Sequence, residues 1–190
     1  MKPRSDRYHQ AVKRIDAANA RDPHDKEVLY AQRMTERLEQ FAPEASEALC
    51  LAARAQHIRR WEVPRKRYPM DRKGYHQWRT GLYTFHADAA EAILREVGYE
   101  DAAIEQVRGL LMKKRLKTDP QMQTLEDVAC LVFLEHYFDA FSTEHDQAKL
   151  VQILQRTWRK MSERGHEAAL ALPLSAEAKR LVGLALAQAE

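Results

Sequence analysis

The run from Ala48 to Trp61, ALCLAARAQHIRRW, is apolar or small on every side for two turns and then abruptly polar. A helix without a polar face has to be surrounded by other helices, so this stretch requires a bundle built around it. Leu49, Leu51, Ala52, Ala53 and Ala55 supply small or apolar surface that lets neighbours approach closely, and the run ends in a histidine followed by two arginines and a tryptophan. His57 is therefore expected at the mouth of a core.

The rest of the chain agrees with a helical bundle. Only six glycines punctuate 190 residues, too few for the frequent turns of a sandwich or barrel of short strands. With no Gly/Ser-rich or Pro-rich linker, the chain reads as one all-α domain, residues 1–190. The net charge of +3 defines no partner, but its distribution does. Arg54, Arg59, Arg60, Arg65, Lys66, Arg67, Arg72, Lys73 and Arg79 crowd one segment against Glu62 and Asp71, and Lys113, Lys114, Arg115 and Lys117 form a second cluster. Cys50 and Cys130 lie in apolar helical runs, where a thiol acts as a small hydrophobe, and point to reduced cysteines and a cytoplasmic protein. No leader pattern opens the chain, and no apolar run approaches the ~18 residues of a membrane span.

Local signals predict the elements. A first helix runs from about Ser5 to Ala20, and Asp22 and Pro23 open a second that reaches Phe41. The central helix carries through to Trp61. A basic loop with aromatic edges follows, broken by Pro64 and Pro69. Asp71 then caps a long helix to Val97 with Gly98 as its C-terminal stop, and its expected inward stripe is Tyr75, Trp78, Leu82, Phe85, Ala89 and Ile93. A short helix over Ile104–Leu111 ends in the KKRLK run. Asp119 and Pro120 restart a second buried helix through Val128–Leu134, one helix spans about Leu150–Arg164, and a last one begins with Ser175 as its cap.

Three ionisable groups stand out: His57 and Asp127, each at an end of a buried helix, and His86, beside Phe85 on the border of the long helix's inward stripe. Asp127 shares a stripe with Leu131, Leu134 and Phe138, which turns its carboxylate inward. Two imidazoles and a carboxylate suit a divalent transition metal, but each group has a structural alternative. His57 or His86 would then bond a backbone carbonyl, and Thr124 with Asp127 fits a capping box.

The segments AQHIRRW, FHADAAEAILREVGY and QTLEDVACL, in that order, resemble the HD superfamily of metal-dependent phosphohydrolases, with a core over about residues 30–138 and C-terminal helices over 144–190. The resemblance implies a metal (Mn, Fe, Co or Zn) held by His57, His86 and Asp127, with Glu126 and Asp127 in catalytic positions. Two positions depart from it: Ile58 stands where the doublet's aspartate belongs, and Tyr30 where the first histidine would fall. Nearly the whole chain also resembles the uncharacterised family called domain of unknown function 4202, through AQHIRRW, YPMDR, KKRLK, TLEDVACLVFLEHYF and TWRKMSERGH. Lys160–Arg164, KMSER, imitates the ATP-binding KMSKS loop of class I synthetases, but the HIGH motif and parallel-sheet pattern that go with it are missing.

Arg59, Arg60, Trp61, Arg79 and Lys114 are the expected ligand-binding residues, since forked guanidinium donors beside flat aromatic faces suit phosphate recognition. The expected ligand is a phosphorylated small molecule or nucleotide, with RNA left open. Two functions follow: a metal-dependent phosphohydrolase, or a non-catalytic binding or regulatory module that kept the basic pocket and lost the metal.

Overall fold

In a computed structural model, residues 4–116 and 118–188 are described; Lys117 of the second basic cluster lies outside them. About 72% of the described residues are helical, and none forms a strand. The helices cluster into two compact units, the first reaching Leu125 and the second beginning at Glu126.

The first unit is built around α3 (Glu47–Arg54), which packs on α1 (Asp6–Asn19), α2 (Glu27–Phe41) and α5 (Asp101–Leu111); α4 (Arg72–Glu96) packs on α1 and α5. Leu51, Ala52 and Ala53 are at most 1% exposed, as an all-apolar helix requires. Their burial is a main source of hydrophobic stabilisation in this unit. The helix stops at Arg54, well short of the expected Trp61. The Arg54 guanidinium makes a bidentate pair with Asp16 of α1, both contacts 2.7 Å, and donates to the Thr35 hydroxyl of α2 at 3.2 Å. One buried cation thus ties the end of α3 to α1 and to the middle of α2, and the chain from Ala55 onward turns away.

The other first-unit boundaries follow local chemistry. Ser5 caps α1, Ser46 caps α3 and Asp71 caps α4 through side-chain oxygens that accept from the third residue on. Gly98, at φ 81°, closes α4 in the left-handed conformation, where glycine meets no penalty. Asp22 is no helix cap. Its carboxylate accepts from the backbone N–H groups of His24, Lys26 and Glu27, which folds residues 22–26 into a loop and delays α2 to Glu27. The inward stripe of α4 keeps Leu82 and Ala89 of the expected one but runs on through His86, Ala90 and Leu94, while Tyr75 is 41% exposed and Phe85 and Ile93 are half-buried, so His86, more than Phe85, faces the core.

The second unit comprises the later turns of α6 (Pro120–His136), then α7 (Phe138–Ser142), α8 (Gln147–Trp158), α9 (Glu163–Leu170) and α10 (Ala176–Ala187). Leu131 is fully buried, α8 packs against α10, and Phe133 meets Phe138 and Phe141 edge-to-face at 5.9 and 5.7 Å. The single helix expected over Leu150–Arg164 is two, because Ser162 caps α9 through Gly165 N–H. Ser175 caps α10 as expected. Cys50 and Cys130 are buried and not joined in a disulfide. No helix is long and apolar enough to cross a membrane, among the described residues.

Candidate functional site

The turns that follow α3 bring the polar end of AQHIRRW against one face of α4. Arg59 adopts a left-handed backbone, φ 54°, its N–H donating to the buried Asn19 side chain at 3.0 Å. A β-carbon makes that conformation cost about 1–2 kcal/mol. Held there, the chain reverses and sets Arg60 into a 3-10 turn (Arg60–Glu62) beside His57. Trp78 of α4 donates its indole N–H to the Val63 carbonyl at 2.7 Å, tying the basic loop to the helix. Gly74 lets the loop lie on α4, since a Cβ there would sit 2.1 Å from the Pro69 carbonyl oxygen.

These contacts enclose a pocket of about 200 Å³. Its wall includes Gln56, His57, Arg60, Trp78, Arg79, His86 and Lys113, with three cations and no carboxylate among its lining residues. The Arg60 guanidinium stacks over Trp78, 4.8 Å from the ring centre, and lies 3.2 Å from His57 Nε2. A guanidinium only donates, so His57 Nε2 accepts and its proton is on Nδ1. That nitrogen faces Glu27 at 3.6 Å, while Tyr30 stacks on the imidazole face at 3.8 Å. His86 donates from Nδ1 to the Ile58 carbonyl at 2.8 Å. Ile58, which stands where the superfamily resemblance expects an aspartate, is fully buried and offers its backbone oxygen in place of a carboxylate.

Burial sets the charge states. Desolvation, then the nearby Arg60, holds His57 well below the usual imidazole range, and burial lowers His86 to about 4. Both rings are neutral at pH 7. Burial pushes Glu27 up to about 7 against the opposing pull of Arg60. The stability linkage of these groups runs in opposite directions. Glu27, raised above its unfolded value, stabilises the fold below about pH 4.5 and loses that contribution as pH rises through about 7. The histidines contribute above their unfolded value of 6.5 and lose it as pH falls. Glu27→Gln is therefore expected to gain stability relative to the native chain as pH rises from 5 to 8, by up to about 3 kcal/mol. Urea titrations of both proteins across that range check it; a constant difference contradicts it.

Lys113 reaches the pocket from the end of α5. There Lys114 N–H bonds the Gly109 carbonyl and Lys113 N–H the Leu110 carbonyl, the same double closure that Gly98 makes after α4. At α5 the left-handed position belongs to Lys113, at φ 54°. A glycine would relieve that strain. Lys113→Gly is expected to raise stability by about 1 kcal/mol. Thermal melts of the two proteins check it; an unchanged or lower melting temperature contradicts it.

The expected ligand-binding residues divide. Arg60 and Arg79 line the pocket. Arg59 is paired bidentately with Glu62 at 2.7 Å, Trp61 is not among the lining residues, and the pocket lysine is Lys113 while its exposed neighbour Lys114 is not. Of the expected metal ligands, His57 and His86 share the pocket, their rings 6.0 Å apart. Asp127 belongs to the second unit, where its carboxylate accepts from the Ser162 N–H at 2.8 Å and the Ser162 hydroxyl at 2.6 Å. Glu126 lies 3.6 Å from Lys160. The KMSER segment thus has a structural use: its serine starts α9 and anchors it to α6. Among the described residues no three His, Cys, Asp or Glu side chains are grouped as a metal would need. Glu27 was not visible as a site residue from the sequence, because its only local signal is a place in the first turn of a helix.

The family model described as Domain of unknown function (DUF4202) matches residues 9–182. Comparison with curated proteins and with solved structures returns no match.

Proposed function

This chain belongs to the DUF4202 family, and we propose from its pocket that it binds a phosphorylated small molecule without a metal, as a binding or regulatory module. The observation that carries this reading is Arg60: a desolvated guanidinium held against Trp78 and a neutral His57, with Arg79 and Lys113 on the same wall. Three cations and no carboxylate line this wall, so an anion in the pocket is attracted by each of them. A phosphate monoester supplies two negative charges and three acceptor oxygens, which match a forked donor.

The donor set does not fit a divalent metal. His57 Nε2 already accepts from a cation, and His86 offers one bare nitrogen, so the pair supplies too few free donor atoms for an ion. The HD-like descent read from the sequence is compatible with this proposal if the ligand set was lost and the basic pocket kept. Chelator-treated protein titrated with a phosphate monoester and followed by tryptophan fluorescence is expected to saturate. Adding Mn²⁺, Fe²⁺, Co²⁺ or Zn²⁺ should change neither the affinity nor release phosphate. Metal-stimulated release that disappears in His57→Ala would establish the hydrolase instead.

A further inference from the structure

Two buried acceptors on the pocket wall lack a donor. His86 is 3% exposed, its Nδ1–H is committed to the Ile58 carbonyl, and its Nε2 lone pair is buried without a hydrogen-bond partner. Gln56, 8% exposed, lines the same pocket, and its Oε1 is in the same condition. Folded proteins leave few such groups unpaired, because the desolvation cost is not recovered. Arg60 and Lys113, on the same wall, are donors only. The pocket therefore offers donors and acceptors together. A phosphate monoester dianion, itself an acceptor only, satisfies the first set and leaves the second bare.

Resting on the phosphate reading above, we infer that the ligand is a phosphate monoester whose organic part carries a hydroxyl, the phosphate held by Arg60 and Lys113 and the hydroxyl donating to His86 Nε2. The fixed tautomer makes this a one-way test of the ligand: His86 accepts and cannot donate, so it selects an O–H or N–H group and rejects a bare alkyl chain. Size narrows the class further. The pocket's ~200 Å³ is below the ~300–1,000 Å³ of sites that bury a drug-sized ligand. It suits phosphate with a short polyol or a single sugar, and the base of a nucleotide would stay outside.

Calorimetric titration of the native protein with matched ligands tests this. Ribose 5-phosphate and glycerol 3-phosphate are expected to bind about tenfold or more tightly than propyl phosphate, since the last leaves His86 unpaired. Adenosine monophosphate should bind within a few-fold of ribose 5-phosphate. His86→Phe, which keeps a ring and removes the acceptor, should compress the preference for hydroxylated ligands over propyl phosphate to under about threefold. The ligand series on the native protein decides the point even if that variant does not fold. Equal affinity for propyl phosphate and the hydroxylated ligands would overturn the inference and leave phosphate binding standing. Adenosine monophosphate binding more than tenfold tighter than ribose 5-phosphate would overturn the sugar-phosphate assignment. Absence of binding by every monoester, propyl phosphate included, would overturn the phosphate reading itself.

Discussion

Asp127→Ala is expected to destabilise the protein by about 3 kcal/mol or more while leaving phosphate binding unchanged. The carboxylate is 2% exposed and accepts two short bonds from Ser162, each of the charge-assisted kind worth about 1.5–3 kcal/mol. Truncation strands the Ser162 N–H and removes what fixes the start of α9. The same contact explains Gly165: a Cβ there would lie 2.7 Å from Asp127 Oδ1, so α9 approaches the carboxylate through its one residue without a side chain. Urea unfolding beside a phosphate titration separates the roles. A variant with native stability and abolished binding would return Asp127 to a ligand site and contradict its assignment as a structural anchor.

Arg60→Ala is expected to produce the opposite pattern. Loss of a charge-assisted bond to phosphate should weaken binding by about 1.5–3 kcal/mol, roughly 10- to 150-fold. Stability should change little, because the desolvation of this guanidinium opposes the attraction of Glu27. Arg60→Lys should recover little of the affinity. A lysine is a point charge without the planar fork, and it cannot stack over Trp78 as the guanidinium does at 4.8 Å. If Arg60→Ala instead unfolds the protein with no specific effect on binding, the stacked arginine is a packing element and the pocket loses its principal anion donor.

What could be read in advance was what short-range chemistry decides. The all-apolar run around Leu51 required a buried helix, Asp71 and Gly98 bracketed α4, and Ser175 announced α10. What could not be read depends on partners distant in sequence. Arg54 ends α3 because Asp16 and Thr35, 38 and 19 residues away, hold it. Asp127 faces inward, as its stripe with Leu131 and Leu134 indicated, but the group it meets is Ser162, 35 residues on. His57 and His86 were legible as a pair because each adjoins an apolar stripe. Their state was not: the tautomer of one is set by an arginine three residues away, and that of the other by a backbone carbonyl across the bundle. Within the second basic cluster the sequence favoured Lys114, whereas Lys113, in the left-handed closure of α5, is the lysine that lines the pocket. A helix end lacking glycine inside a basic run was the one clue available.

Phosphate recognition by Arg60 is tested most directly by calorimetric titration of chelator-treated protein with a phosphate monoester, run for the native chain and for Arg60→Ala. Saturable, metal-independent binding by the native protein, weakened about 10- to 150-fold in the variant, is the expected result. Binding that appears only after a divalent metal is added, or that is identical in the two proteins, would contradict it.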